Sequence, residues 1–155
     1  MVARRTFMFW AIVLVLGQAI AWSAAAEEMP TLIGTWKAEY TVQSRQGQSS
    51  AEGEIIVSEQ NGPLFRGTYK WKYHASTPVV GDDGAHVGKQ GEEQFLGVIG
   101  WDGKSINMAD AGDKGFWFGE PADANTMRLV YVESQDHATV FRASFVRQPA
   151  GSGAR

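Results

Sequence analysis

The sequence contains no cysteine in its 155 residues. Disulfide bridges, thiol catalysis and lipid attachment through a cysteine are therefore excluded. Stability must come from a hydrophobic core, and a chain of this length is sufficient for one domain with such a core. We expect a single folded domain over residues 27–149, followed by a flexible tail at 150–155 whose small and polar residues favour fraying.

Motifs for catalysis and metal binding are also missing. The chain has no Gly-x-Ser-x-Gly nucleophile elbow, no phosphate-binding loop and no dinucleotide-binding fingerprint. Its three histidines, His74, His86 and His137, are far apart in the sequence and lack the spacing of metal ligands. We therefore predict no catalytic residue, no metal site and no cofactor. An enzyme that uses one rim of the fold, or a composite site that brings the histidines together, stays an alternative.

Positive charge is scarce as well. The chain carries 14 Lys and Arg against 17 Asp and Glu, a formal charge of −3. Two of the basic residues fall in the N-terminal leader described below, so the rest of the chain is more acidic still. Such a surface does not attract phosphate backbones or anionic lipid headgroups. We expect no nucleic acid as a partner and a mature domain that is not embedded in a membrane.

Residues 1–26 have the pattern of a signal peptide. A basic start (MVARR) precedes an apolar stretch at 6–22, and small residues (SAAA) follow it. We predict cleavage after Ala26 and a periplasmic or secreted location. An uncleaved membrane anchor is the alternative, but a stretch of this length lies at the lower limit for crossing a bilayer. The export route is either the general secretory one or, because Arg4 and Arg5 resemble a twin-arginine motif, the twin-arginine one.

No stretch after the leader has the apolar spacing of an amphipathic helix. Short alternating runs separated by Gly, Asn, Asp and Pro are typical of an all-β protein. Eight such runs span residues 32–43, 52–60, 64–74, 93–101, 104–110, 115–120, 126–134 and 138–148. Asn61-Gly62 and Asp102-Gly103 supply the positive φ angles of tight hairpins. A series of hairpins predicts an eight-stranded antiparallel up-and-down β-barrel, in which closure removes the sheet edges.

Alternation along the runs indicates which side chains point into the barrel. In the third run, aromatic residues alternate with Arg, Thr and Lys, so that Trp71 and Tyr73 point inward. The sixth run is ambiguous, because a shift of one residue exchanges Trp117 with Phe116 and Phe118.

One rim of the predicted barrel is a candidate binding site. The longest connection, 75–92, predicts a lid over this more open rim, and an insertion without function is the alternative. Inward side chains near the rim are mostly aromatic, which suits a small apolar or aromatic ligand. The predicted ligand-binding residues are Tyr40, Val42, Trp71, Tyr73, Phe95, Met108, Trp117, Tyr131 and Phe141. Such rings also serve as core filling in small barrels, so a filled interior stays open as the alternative.

The first run begins with a motif that resembles one of a known superfamily. Gly34-Thr35-Trp36 resembles the Gly-x-Trp motif of calycins, which include lipocalins, fatty-acid-binding proteins and avidins. In calycins a basic residue of the last strand packs across this tryptophan, and Arg147 is the matching residue here. The resemblance implies that Gly34, Trp36 and Arg147 form a structural floor, with any ligand site at the other end.

Departures from the individual calycin families narrow the function that the resemblance implies. Fatty-acid-binding proteins have a helical pair after the first strand, where only residues 44–51 intervene here, and their arginine-x-tyrosine clamp is missing after Arg142. Avidins have an asparagine where this chain has Ala38, which argues against biotin. The C-terminal half resembles small exported bacterial domains. We expect an exported small-molecule binding protein of lipocalin-like type. The alternative is an envelope interaction or inhibitor module with a filled barrel, whose loops bind a protein partner.

Overall fold

The computed structural model describes residues 29–45, 47–74, 89–112, 114–134 and 138–150. These residues form a closed barrel of antiparallel strands, in which sequence neighbours pair and the first strand pairs with the last. The strands are β1 (Gly34–Ser44), β2 (Gly47–Asn61), β3 (Leu64–Tyr73), β4 (Gln90–Ile99), β5 (Ile106–Asp110), β6 (Gly115–Asp123), β7 (Thr126–Glu133) and β8 (Thr139–Arg147). The predicted all-β class and eight-stranded up-and-down barrel are confirmed. In the described part of the chain, no helix is long and apolar enough to cross a membrane.

Several regions singled out in the sequence lie outside the described residues. They are the signal peptide at 1–26, the tail after residue 150 and most of the predicted lid, of which 75–88 is outside. The side chains of His86 and His137 are outside as well. These predictions therefore stay predictions.

Two strands begin earlier than the alternation predicts. β2 begins at Gly47 and not at residue 52, and β4 begins at Gln90 and not at residue 93. The added residues are mostly polar or glycine, so they carry no apolar alternation. Backbone pairing with β1 and β3 holds them in the sheet. The predicted connection at 44–51 is therefore mostly strand, and the last three residues of the segment predicted as a lid belong to β4.

The interior follows the two-residue period of the strands. Buried side chains come from one face of each strand, and the largest of them, such as Trp36 and Phe145, are almost completely buried. The ambiguity of β6 is resolved, since Trp117 is 0% exposed whereas Phe116 and Phe118 are 47% and 48% exposed. Full burial of a phenylalanine contributes roughly 1.5–3 kcal/mol. The interior rings are therefore a main source of stability.

Two hairpins use glycine as predicted. Gly62 and Gly103 have φ angles of 56° and 71°, in the left-handed region that favours glycine. Asp102 stabilises the second turn, because its Oδ1 accepts hydrogen bonds from the backbone N–H groups of Lys104 and Ser105. Both turns lie at the same end of the barrel, which is closed.

The closed end is sealed by the segment that precedes β1. Leu32 is buried there, and the indole Nε1 of Trp36 donates a hydrogen bond to its carbonyl at 2.9 Å. The side-chain amide of Gln60 holds the same segment. Its Oε1 accepts from Leu32 N at 2.7 Å, and its Nε2 donates to the Pro30 carbonyl at 3.0 Å. Because this end is occupied by the chain itself, access to the interior lies at the opposite end.

Candidate functional site

A cavity of about 340 Å³ lies at the open end of the barrel. Its walls come from the ends of β1, β3 and β7 and from the starts of β2, β4 and β8. The lining residues are Tyr40, Val42, Ala51, Tyr69, Trp71, Tyr73, Lys89, Glu93, Tyr131, Glu133, Thr139 and Phe141. Ligand pockets usually measure roughly 300–1,000 Å³. The cavity is therefore large enough for one small molecule.

The structure brings six of the nine predicted ligand-binding residues together at this cavity. These six are Tyr40, Val42, Trp71, Tyr73, Tyr131 and Phe141. The other three, Phe95, Met108 and Trp117, point inward but belong to the packed core and do not line the cavity. The strands of a barrel are tilted and staggered, so two residues at equal distances from their strand ends can lie at different heights.

The polar part of the lining was not predicted. The lining residues outside the prediction are Ala51, Tyr69, Lys89, Glu93, Glu133 and Thr139. A signal for two of them exists in the sequence, because Glu93 lies two residues before Phe95 and Glu133 two residues after Tyr131, on the same strand faces. Glutamate is mostly exposed in folded proteins, and this general preference obscured the signal.

One wall of the cavity consists of stacked rings. Tyr40 stacks on Phe141 with ring centroids 4.1 Å apart and planes inclined by 12°. Phe141 in turn stacks on Tyr131 at 5.0 Å. On β3, Trp71 and Tyr73 pack edge to face at 5.4 Å. Such ring pairs are stabilising beyond the area they bury, so the wall is preformed and presents flat apolar faces.

Two tyrosine hydroxyl groups share a hydrogen bond beside this wall, those of Tyr40 and Tyr69. Burial raises the pKa of both, because a phenolate would be poorly solvated there. The pKa of Tyr73 is also raised, first by burial and then by the charge of Glu133. Gly53 makes room for the pair, since a Cβ there would lie 2.9 Å from Tyr40 Cε1 and 3.1 Å from Tyr69 Cε2. The three hydroxyl groups are therefore neutral at physiological pH.

A buried carboxylate lies next to the cavity lining. Asp110 is 7% exposed, and its oxygens accept hydrogen bonds from Trp117 Nε1 and from the Tyr131 hydroxyl, both at 3.0 Å. The Tyr131 hydroxyl also lies 3.5 Å from Glu133 Oε2. Gly115 permits this arrangement, because a Cβ there would overlap Asp110 Oδ2 and the Tyr131 hydroxyl. Within the described ranges, no group of three or more acidic or histidine side chains could hold a metal ion.

The residues predicted as a structural floor meet at the closed end. The guanidinium carbon of Arg147 lies 4.0 Å from the centre of the Trp36 ring. Arg147 also donates hydrogen bonds to the carbonyls of Ile33 at 2.5 Å and Thr31 at 2.6 Å, and desolvation lowers its pKa. Gly34 has a φ of 134°, and a Cβ there would lie 3.1 Å from Arg147 Nη1. This cluster joins the segment that precedes β1 to the end of β8.

A larger concavity of about 690 Å³ lies on the outer surface of β1–β4. Its charged side chains pair across the strands, as in Lys37–Glu54 at 3.1 Å and Lys70–Glu92 at 3.4 Å. Exposed pairs of this kind contribute little to stability. Because this surface is open to solvent and its charges are paired with each other, it is a weaker candidate than the cavity at the open end.

Comparisons with known proteins bear on the fold. No protein-family model matches the chain, and no curated protein matches its sequence. The structure of EF1p2_mFAP2b bound to DFHBI is similar with a TM-score of 0.54 and 10% identity, over 76% of this chain and 94% of that one. A de novo designed fluorescence-activating β-barrel has a TM-score of 0.47 and 15% identity, over 75% of this chain and 93% of that one. The S-type phycobiliprotein lyase CPES from Guillardia theta has a TM-score of 0.42 and 9% identity, over 77% of this chain and 89% of that one.

Proposed function

We propose that this chain is an exported, calycin-like barrel protein that binds one small apolar or aromatic molecule at its open end. The observation that carries the proposal is the wall of stacked rings, Tyr40, Phe141 and Tyr131, beside a cavity of about 340 Å³. Flat ring faces beside a space of this size suit a small apolar or aromatic molecule. A few polar groups at the border of an apolar pocket usually orient the ligand, and Glu93 and Glu133 occupy that position.

Other observations support the remaining parts of the proposal. At the closed end, Arg147 lies over the Trp36 ring, which is the arrangement that the calycin resemblance implies. The similar structure of EF1p2_mFAP2b is bound to the small molecule DFHBI, so a barrel of this fold is able to hold such a ligand. Export rests on the signal-peptide pattern of residues 1–26, with cleavage after Ala26.

Native mass spectrometry of the protein purified from its own host tests the proposal. We expect a bound small molecule that is released on denaturation. In the Thr139→Trp variant an indole fills the cavity, and we expect that molecule to be absent. Val140→Trp is the matched control, because Val140 is the next residue of β8 and points outward. The mass spectrum of Val140→Trp is expected to show the bound molecule. Thermal melts check that both variants are folded.

Titration with Nile red, a neutral aromatic dye, provides a second readout for the same three proteins. Saturable binding is expected for the original chain and for Val140→Trp, and weak binding for Thr139→Trp. If the host protein carries no small molecule and the dye binds none of the three proteins, the proposed function is wrong.

A second candidate function, an interaction module of the cell envelope, is favoured by the outer surface of β4–β8. Exposed apolar side chains lie in one row across this surface, at Leu96, Phe116, Val132 and Val140. Contiguous exposed apolar surface often marks an interaction site. The same mass spectra distinguish the two functions, since a bound protein together with an empty cavity would favour the interaction module.

A further inference from the structure

The basic residues of the strands lie almost entirely on the outer face of the barrel, whereas the acidic residues lie on both faces. All strand Lys and Arg residues except one are exposed on the outer face, and they are Lys37, Arg66, Lys70, Lys72, Arg128 and Arg142. The exception, Arg147, belongs to the closed end. Three carboxylates lie on the inner face towards the open end, those of Glu93, Asp110 and Glu133. The interior is therefore acidic towards its opening.

Inward carboxylates are costly in a barrel of this size. Removing a carboxylate from water is unfavourable unless other groups compensate for the lost hydration. Asp110 receives hydrogen bonds from Trp117 and Tyr131. Glu93 and Glu133 lie higher and line the cavity. A molecule that enters the cavity therefore meets both carboxylates, in addition to the groups of the chain that contact them.

The electrostatics of the cavity favour a cation over an anion. The described lining includes two carboxylates, those of Glu93 and Glu133, and one ammonium group, that of Lys89. Asp110 adds a third carboxylate next to the lining, at 3.0 Å from the Tyr131 hydroxyl. The faces of the surrounding aromatic rings are electron-rich and attract cations as well. After burial, the negative charge of Glu133 is the second cause that raises the pKa of Tyr73, because it disfavours another negative charge nearby.

From this arrangement we infer that the ligand is an aromatic amine, with its ammonium group near Glu93 and Glu133 and its ring against the stacked wall of Tyr40, Phe141 and Tyr131. The inference rests on the proposed function, because it assigns a chemical class to the ligand of the same cavity. An ammonium group forms charge-assisted hydrogen bonds with carboxylates and a cation–π contact with a nearby ring. A carboxylate at the same place on the ligand would be repelled.

Three probes that share one ring system and differ in charge test the inference. They are tryptamine, which is cationic at neutral pH, indole, which is neutral, and indole-3-acetate, which is anionic. Isothermal titration calorimetry at pH 7.5 and low salt measures their dissociation constants with the purified protein. We expect tryptamine to bind at least tenfold more tightly than indole, and indole-3-acetate to bind most weakly.

Variants of the two glutamates separate charge from shape. Glu133→Gln and Glu93→Gln each keep the size of the side chain and remove its charge. Each is expected to lower the affinity for tryptamine at least threefold, and by a larger factor than the affinity for indole. Glu92→Gln is the matched control, because Glu92 is the neighbour of Glu93 on β4 but points outward, towards Lys70. It is expected to change neither affinity, and thermal melts check that all three variants are folded.

Other results would contradict either the charge of the ligand or the binding function itself. If indole binds as tightly as tryptamine, or if indole-3-acetate binds best, the cationic class is wrong while the proposed binding function stands. The same holds if tryptamine affinity is unchanged in both glutamate variants. If none of the three probes binds at millimolar concentration and Nile red does not bind either, the proposed function is wrong and the inference is wrong with it.

Discussion

The two ends of the barrel hold inward charges of opposite sign in different ways. At the closed end, Arg147 lies over Trp36 and donates hydrogen bonds to carbonyls of the segment that precedes β1. At the open end, Glu93 and Glu133 border a cavity. The chain itself therefore fills the space around the inward charge at the closed end, whereas at the open end it leaves a space beside the two carboxylates.

Gly115→Ala tests the packing around the open end and has the largest expected effect. A methyl group at this position would overlap the carboxylate of Asp110 and the hydroxyl of Tyr131. We expect the free energy of unfolding to fall by roughly 3–4 kcal/mol, from overpacking and from the loss of a buried hydrogen bond. Urea denaturation measures this change. Gly112→Ala is the control, because a Cβ there meets nothing within 4 Å, and equal effects of the two substitutions would contradict the prediction.

The hydrogen-bonded pair of Tyr40 and Tyr69 predicts a loss of stability at high pH. Tyrosine in an unfolded chain has a pKa of about 10, whereas burial raises the pKa of both residues in the folded protein. The stability from this difference is complete below pH 10 and is lost as the pH rises towards the folded-state pKa values. At pH 11 we expect a loss of about 1.4 kcal/mol for each tyrosine, or about 3 kcal/mol for the pair.

Urea denaturation at pH 8 to pH 11 measures this dependence. The Tyr40→Phe variant has one tyrosine fewer in the pair, so about half of the dependence should remain. This comparison separates the pair from other groups that titrate in the same range. If the variant and the original chain lose the same free energy between these pH values, the pair is not the source of the loss.

Arg147→Ala tests the closed end and has a smaller expected effect. The substitution removes a cation–π contact and three hydrogen bonds to carbonyls, but the guanidinium is partly exposed. We expect the free energy of unfolding to fall by about 2 kcal/mol. Arg128→Ala, an outward position on β7, is expected to have almost no effect in the same denaturation experiment. Affinity for probes at the open end should not change, and a loss of binding without a loss of stability would contradict the division between the two ends.

The fold was largely predictable because local signals agreed with the closed barrel. Asn61-Gly62 and Asp102-Gly103 predicted hairpins, and both glycines have the expected positive φ. The starts of β2 and β4 were not predicted, because their polar residues are held by backbone pairing with a neighbouring strand. Such pairing depends on the partner and leaves no period in the sequence of the strand itself.

The candidate site was predictable in part. The alternation of inward and outward residues identified six aromatic or apolar lining residues. Alternation does not show how far along the barrel axis a side chain lies, because the strands are tilted. Phe95, Met108 and Trp117 therefore belong to the packed core and do not line the cavity. Glu93 and Glu133 lie on the same inward strand faces as their aromatic neighbours. That they line the cavity can be seen only in the assembled barrel.

By itself, the sequence determined the number of strands, their antiparallel order and the two faces of each, because turn chemistry and two-residue alternation are local properties of the chain. It also identified Trp36 and Arg147 as partners through their resemblance to calycins. Only the tertiary structure decided which inward side chains lie at the same height along the barrel axis, because the tilt and stagger of the strands are properties of the closed barrel. The same closure placed three carboxylates towards one end and one guanidinium at the other.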